Sequence, residues 1–93
     1  MTALAADYVR QKLTDLDGWE LKDKAISKTF SCDDFSHAMD LVTHAAELAE
    51  ESDHHPDIDI RYDKVTFALS THSEGGVTEK DIAMAKQIDG LSS

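Results

Sequence analysis

Residues 58–72 read IDIRYDKVTFALSTH, and this stretch decides the fold. Ile58, Ile60 and Tyr62 alternate with Asp59 and Arg61. Val65, Phe67 and Leu69 then alternate with Thr66, Ala68 and Ser70. Both runs carry the period of two that gives a strand one apolar face. Asp63-Lys64 is a plausible two-residue turn, so the strand at 57–62 is expected to pair antiparallel with the strand at 64–71. On that pairing position 57 approaches position 70, and the chain entering the hairpin is drawn towards the chain leaving it.

The entering chain is SDHHPDID, residues 52–59, with two histidines ahead of the only proline. Pro56 biases His55 away from the α region and makes the segment an extended exit from whatever precedes it. What precedes it is the clearest element of the sequence. Over residues 33–51, Phe35, Ala38, Met39, Val42, Ala45, Ala46 and Ala49 follow the spacing of an amphipathic helix, and Leu41 and Leu48 widen the stripe. Asp33 or Asp34 can cap its start. His37, Asp40, His44, Glu47 and Glu51 occupy the other side. Further upstream, Leu4, Ala5, Tyr8, Val9, Leu13 and Leu16 predict a helix over 3–16, ended by Asp17-Gly18. WELKDK and AISKTFSC then read as two short strands. Downstream of SEGG, Thr78 with Asp81 three residues on resembles a capping box and opens a last helix to about Asp89, with Ile82, Ala85 and Ile88 on its buried face.

The order helix, two strands, long helix, two strands, helix argues for an α+β fold. It is expected to be a single domain over residues 1–93, with a four-stranded antiparallel sheet and about three helices packed on one face. Ninety-three residues support one core at most, and a core this small gains from self-association. No run approaches the roughly 20 apolar residues of a membrane span, and the first residues lack the pattern of a secretory signal. The single cysteine, Cys32, suits a reducing compartment, so a cytoplasmic location is expected. Nineteen acids face nine bases for a formal charge of −10, which repels phosphate backbones and argues against direct nucleic-acid binding. The acids, mostly aspartate, fit either a high-salt cytoplasm or an ordinary acidic protein.

The hairpin also draws DHHPD and STHS together, so His54, His55 and His72 are expected at one end of the sheet. An imidazole titrates near neutrality and can both give and take a proton. Two of them across a substrate would serve as general acid and base. A zinc site built from the three with Asp53 or Asp57 is a rival reading, although adjacent histidines on an extended segment point to different sides and chelate poorly. Ordinary surface histidines are a third reading, and the spacing alone leaves all three open.

EESDHHPD (50–57) and LSTHSEGGVTEKDIAMAKQID (69–89) resemble the signature blocks of the pterin-4a-carbinolamine dehydratases. Glu50, His54, His55, Pro56 and Asp57 match an acid, three residues, His-His-Pro and an acid. Ser70-Thr71-His72, Gly75-Gly76 and Asp81 match the second block. Trp19, Phe30 and Asp34-Phe35 fall on similar landmarks, so the resemblance covers roughly residues 13–89. Asp53, Ile58 and Ser73 depart from it, standing where asparagine, an aromatic residue and an acid are frequent.

The resemblance implies a four-stranded sheet with helices on one face, assembled as a homodimer or homotetramer. It implies dehydration of a 4a-hydroxytetrahydropterin to the quinonoid dihydropterin, with no cofactor and no metal, returning tetrahydropterin to an aromatic amino acid hydroxylase. Under it, His54 and His72 form the acid–base pair and His55 holds and polarises the pterin. Asp53, Pro56, Asp57, Ser70, Thr71 and Ser73 contact the substrate; for Asp81 the capping-box spacing with Thr78 points to a plain helix cap. The resemblance also leaves room for a non-catalytic pterin-binding or dimerisation and co-regulatory module. Cys32 and His37 have no role in this reading, and His44 is a solvated helix residue.

Overall fold

In the computed structural model, which describes residues 3–92, strands β1 (Glu20–Lys22), β2 (Ala25–Ser31), β3 (Asp57–Arg61) and β4 (Lys64–Leu69) form one antiparallel sheet in the order β1-β2-β4-β3. Residues 1, 2 and 93 of the expected 1–93 span lie outside the described residues. Helices α1 (Ala6–Leu13), α2 (Phe35–Ser52) and α3 (Glu79–Ser92) complete the α+β architecture, with a 3-10 turn at His72–Glu74.

The alternation read from the sequence sets the two faces of the sheet. Ile26 lies opposite Leu69 and Phe30 opposite Val65, and all four are buried with Phe67. The helices cover this face: Val9 and Leu13 of α1, Ala38, Leu41 and Ala45 of α2, and Ile82, Ala85 and Ile88 of α3 join the same cluster. The other face carries Thr29 opposite Thr66, their hydroxyls 2.8 Å apart. Inside the core, Phe30 sits edge-on to Phe67 at 5.7 Å and Trp19 edge-on to Phe30 at 6.3 Å. Lys28, on the covered face opposite Phe67, sends its ammonium to Asp89 of α3 at 3.0 Å, which also accepts the indole N–H of Trp19.

Pairing of β3 with β4 is as expected, but the turn is one residue earlier than the sequence suggested. Arg61 faces Lys64, so the two central residues are Tyr62 and Asp63, and Asp57 faces Ala68 rather than position 70. Tyr62 has φ 56°, the sign that the first position of a tight hairpin loop demands. A non-glycine residue there costs roughly 1–2 kcal/mol, partly offset by the chain entropy that glycine would add to the unfolded state. Tyr62→Gly is therefore expected to raise stability by about 0.5–1 kcal/mol. A urea midpoint unchanged or lowered relative to the parent would show that Tyr62 is not strained.

α1 is shorter than the expected 3–16, because i→i−3 bonds from Thr14, Asp15 and Leu16 tighten the chain after Leu13. α3 continues past Asp89 to Ser92. Along α2 the buried line is Ala38, Leu41, Ala45 and Ala49, while Phe35 and Ala46 of the expected stripe are exposed. Leu41, read as a flank, lies on that buried line.

Asp34 caps α2: its carboxylate accepts the backbone N–H of His37 at 2.8 Å and lies 2.7 Å from the His37 ring Nδ1. The backbone bond, then the ring bond, hold the Asp34 carboxyl below its ordinary value, and the same ring bond raises His37. Asp34's contribution is present above the ordinary 3.8 and is lost as pH falls through its lowered value. His37's is present below the ordinary 6.5 and is lost as pH rises through its raised value. The pair thus supports the helix most between those limits. NMR titration of His37 is expected to give a raised midpoint that falls back in Asp34→Asn; equal midpoints in the two proteins would contradict the pairing.

Candidate active site

α2 ends in a left-handed residue, Asp53 at φ 50° and ψ 42°. The N–H of His54 reaches back to the carbonyl of Ala49 and that of Asp53 to Glu50, the paired bonds that close a helix around a left-handed residue. An aspartate tolerates this backbone better than most side chains. The turn reverses the chain at His54, and Pro56 then feeds it, extended, into β3.

At the same end of the sheet, on the neighbouring strand, β4 gives way to Ser70, Thr71 and His72. The Thr71 N–H bonds the Gly76 carbonyl at 2.8 Å, closing a short loop with His72 at its start. Gly75 sits at φ 78°, a conformation that suits glycine, and a Cβ on Gly76 would come within 2.9 Å of the Ala3 side chain. His72 and Ser73 are exposed on this loop.

The two corners are joined by α3. Asp81, fully buried at 0% exposure, places Oδ1 2.5 Å from Nε2 of His54, whose side chain is itself 12% exposed. Its other oxygen, Oδ2, accepts the Thr71 hydroxyl and the Thr78 backbone N–H, each at 2.9 Å. The Thr71 and Thr78 hydroxyls are 2.7 Å apart. One carboxylate thus ties the residue before His72 to His54. Asp81 does cap α3, as the sequence suggests, through the backbone half of a capping box. The Thr78 side chain, which would complete the box, turns to Thr71 instead.

His55 is exposed, with Nε2 2.5 Å from Glu50 Oε2, one turn back along α2. The remaining sequence-predicted residues spread around this corner. Asp53, Asp57 and Ser73 are exposed, Pro56 is half-buried, and the Ser70 hydroxyl donates to the Lys24 carbonyl at 2.7 Å. Thr71 is buried with its hydroxyl engaged inside the protein. Sequence reasoning missed that Asp81 holds His54 and that Glu50 holds His55. A buried carboxylate is rare without a partner, but its burial is not visible from spacing.

Among the described residues no three His, Cys, Asp or Glu side chains converge as a metal site, and no helix is long and apolar enough to cross a membrane. A cavity of about 380 Å³ opens at the far end of α2, between Phe30, Cys32, His37, Leu41, His44 and Leu91, and holds none of the three histidines His54, His55 and His72. Burial first, then the carboxylates of Asp63, Asp33 and Asp34, push the Cys32 thiol up, away from a reactive thiolate. Of the three histidines, His54 is anchored on a buried carboxylate, while His55 and His72 are exposed.

Residues 2–91 match the sequence model of the family described as "Pterin 4 alpha carbinolamine dehydratase". A protein of Mycolicibacterium vanbaalenii, provisionally named a pterin-4-alpha-carbinolamine dehydratase, is 50% identical over 98% of each chain. One of Herpetosiphon aurantiacus, named likewise, is 51% identical over 98% of this chain and 95% of its own. The crystal structure of a transcriptional coactivator/pterin dehydratase from Brucella melitensis superposes with a TM-score of 0.94 at 39% identity, covering 99% of this chain and 100% of that one.

Proposed function

Because the chain belongs to the pterin-4-alpha-carbinolamine dehydratase family, we propose that it is a hydro-lyase converting a 4a-hydroxytetrahydropterin to the quinonoid dihydropterin and water. The observation that carries the reading is the anchoring of His54 on Asp81 beside the His72 loop. In the reaction the C4a–O bond breaks, the hydroxyl leaves as water with a proton from an acid, and N5 gives its proton to a base as the N5=C4a bond forms. His54 and His72 would be that acid–base pair, since an imidazole can both give and take a proton. His55, steadied by Glu50, would hold the pterin, with Asp53, Pro56, Asp57, Ser70 and Ser73 around it. Thr71 contributes from beneath, through Asp81.

The same reading carries three further expectations. The chain self-associates as a dimer or tetramer, supported by the exposed apolar Phe35, Ile60 and Tyr62. It works in the cytoplasm. Its product, once reduced by a separate enzyme, serves the recycling of tetrahydropterin for an aromatic amino acid hydroxylase. The test is direct: purified chain added to a freshly formed 4a-hydroxytetrahydropterin is expected to speed its dehydration well beyond the spontaneous rate. A second reading, a pterin-binding or co-regulatory module, draws on the Brucella melitensis protein, which is named a transcriptional coactivator as well as a pterin dehydratase. It differs in one outcome, pterin binding without turnover.

A further inference from the structure

Two buried threonines, Thr71 and Thr78, stand behind the carboxylate that holds His54, and their geometry has a consequence for which atom of the imidazole works. Asp81 Oδ2 accepts from the Thr78 backbone N–H and from the Thr71 hydroxyl. Thr71 has one hydroxyl proton, so with that proton on Asp81 the 2.7 Å contact between the two hydroxyls is made by Thr78 donating to Thr71. The chain of donors runs one way, Thr78 to Thr71 to Asp81, and ends on a carboxylate that can only accept. The carboxylate's remaining oxygen faces His54 Nε2 at 2.5 Å. A carboxylate whose other oxygen already accepts twice has no proton to give, so the contact is made by the ring donating through Nε2–H. Nε2 therefore carries hydrogen whether the ring is neutral or charged. The nitrogen that keeps a lone pair in the neutral ring is Nδ1.

Nδ1 is also the nitrogen that is open. Among the described residues, no buried side-chain nitrogen or oxygen lacks a hydrogen-bond partner, and His54 makes its one side-chain bond through Nε2. Its other ring nitrogen thus reaches solvent. We infer that Thr71 and Thr78 are positioning residues that, through Asp81, fix His54 as its Nε2–H tautomer and make Nδ1 the atom that exchanges a proton with the pterin. This deepens the dehydratase reading and rests on it for the word pterin, but the tautomer stands independently of turnover. In either role the balance is the same: as base, the Nδ1 lone pair takes a proton and the ring becomes imidazolium; as acid, the imidazolium gives up its Nδ1 proton and returns to neutral Nε2–H.

The experiment is long-range ¹H–¹⁵N correlation of the histidine rings above the pH of His54 protonation, on the full chain and on Thr71→Val, Thr78→Val and Thr71→Ser. In the parent protein His54 is expected to show a lone-pair nitrogen at Nδ1 and an N–H nitrogen at Nε2. Thr71→Val keeps the shape but removes the donor that fixes the Asp81 carboxylate, which can then turn away from His54, so the second tautomer is expected to appear. kcat is expected to fall about tenfold with KM unchanged, less than the ~10²-fold cost of displacing a catalytic group by 1 Å. Thr71→Ser, which keeps the hydroxyl, is expected to restore both. If Thr71→Val does not fold, Thr78→Val carries the same expectation more weakly. A parent spectrum with the proton on Nδ1, or a valine variant that folds with the tautomer and kcat of the parent, overturns the inference. A parent with the expected tautomer and no turnover instead overturns the dehydratase reading and leaves the positioning intact.

Discussion

His54→Ala and His72→Ala are each expected to lose on the order of 10² or more in kcat, the usual contribution of a general acid or base. The loss should appear equally in kcat/KM, because the missing interaction exists only in the transition state. The two substitutions together should cost less than the product of their separate effects, since both groups serve one proton-transfer event. His55→Ala, which removes an exposed imidazole paired with Glu50, should mainly raise KM. Steady-state dehydration by the four proteins measures this, after subtraction of the uncatalysed rate. Near-parental kcat in both single variants would reduce the corner to a binding loop. His54→Ala carries an added condition: it leaves Asp81 buried without its ring partner, so its fold must be verified by circular dichroism first.

The second large effect falls on stability. Phe67 is fully buried at the centre of β4, edge-on to Phe30, with helices packed over it. Phe67→Ala is expected to cost about 3–5 kcal/mol, from lost transfer energy and a cavity the sheet cannot close. Against a total of roughly 5–15 kcal/mol for a folded domain, that leaves little margin. The urea midpoint should fall steeply, and activity should fall with the folded fraction, because β4 delivers Thr71 and His72 to the site. Phe67→Leu, closer in volume, is expected to lose much less. A Phe67→Ala protein with the parental midpoint would mean that the aromatic stack does not carry the core. The contrast with His54→Ala is informative: one variant loses turnover while folded, the other loses it by unfolding.

The strands and the two long helices were legible because their apolar periods are clean. The hairpin register was not, and the reason is arithmetical. Apolar residues at 58, 60 and 62 meet apolar residues at 65, 67 and 69 whether Ile60 faces Phe67 or, as found, Val65. Both registers keep the same side chains on the same face, so alternation cannot distinguish them; the backbone sign at Tyr62 does. The α2 stripe was read too broadly for a related reason. Apolar residues occupy more of that helix than one sheet can cover, and sequence alone does not say which edge is left out. At the site, the hairpin predicts DHHPD and STHS at one end of the sheet, and the structure links the two segments through Asp81, which bonds both His54 and Thr71. The roles of Asp81 and Glu50 did not, because a capping aspartate and a surface glutamate look the same in sequence whether or not a ring lies beside them.

The bond between His54 and Asp81 spans 27 residues of chain. A ribosome adding roughly 5–20 residues per second makes the carboxylate about 1–5 seconds after the imidazole it will hold. Throughout that interval the nascent chain carries histidines with no buried counter-ion and no fixed proton. The buried pair of His54 and Asp81 comes into being only when the last helix docks, so a chain stalled before α3 would present the His-His-Pro sequence without the carboxylate that holds it.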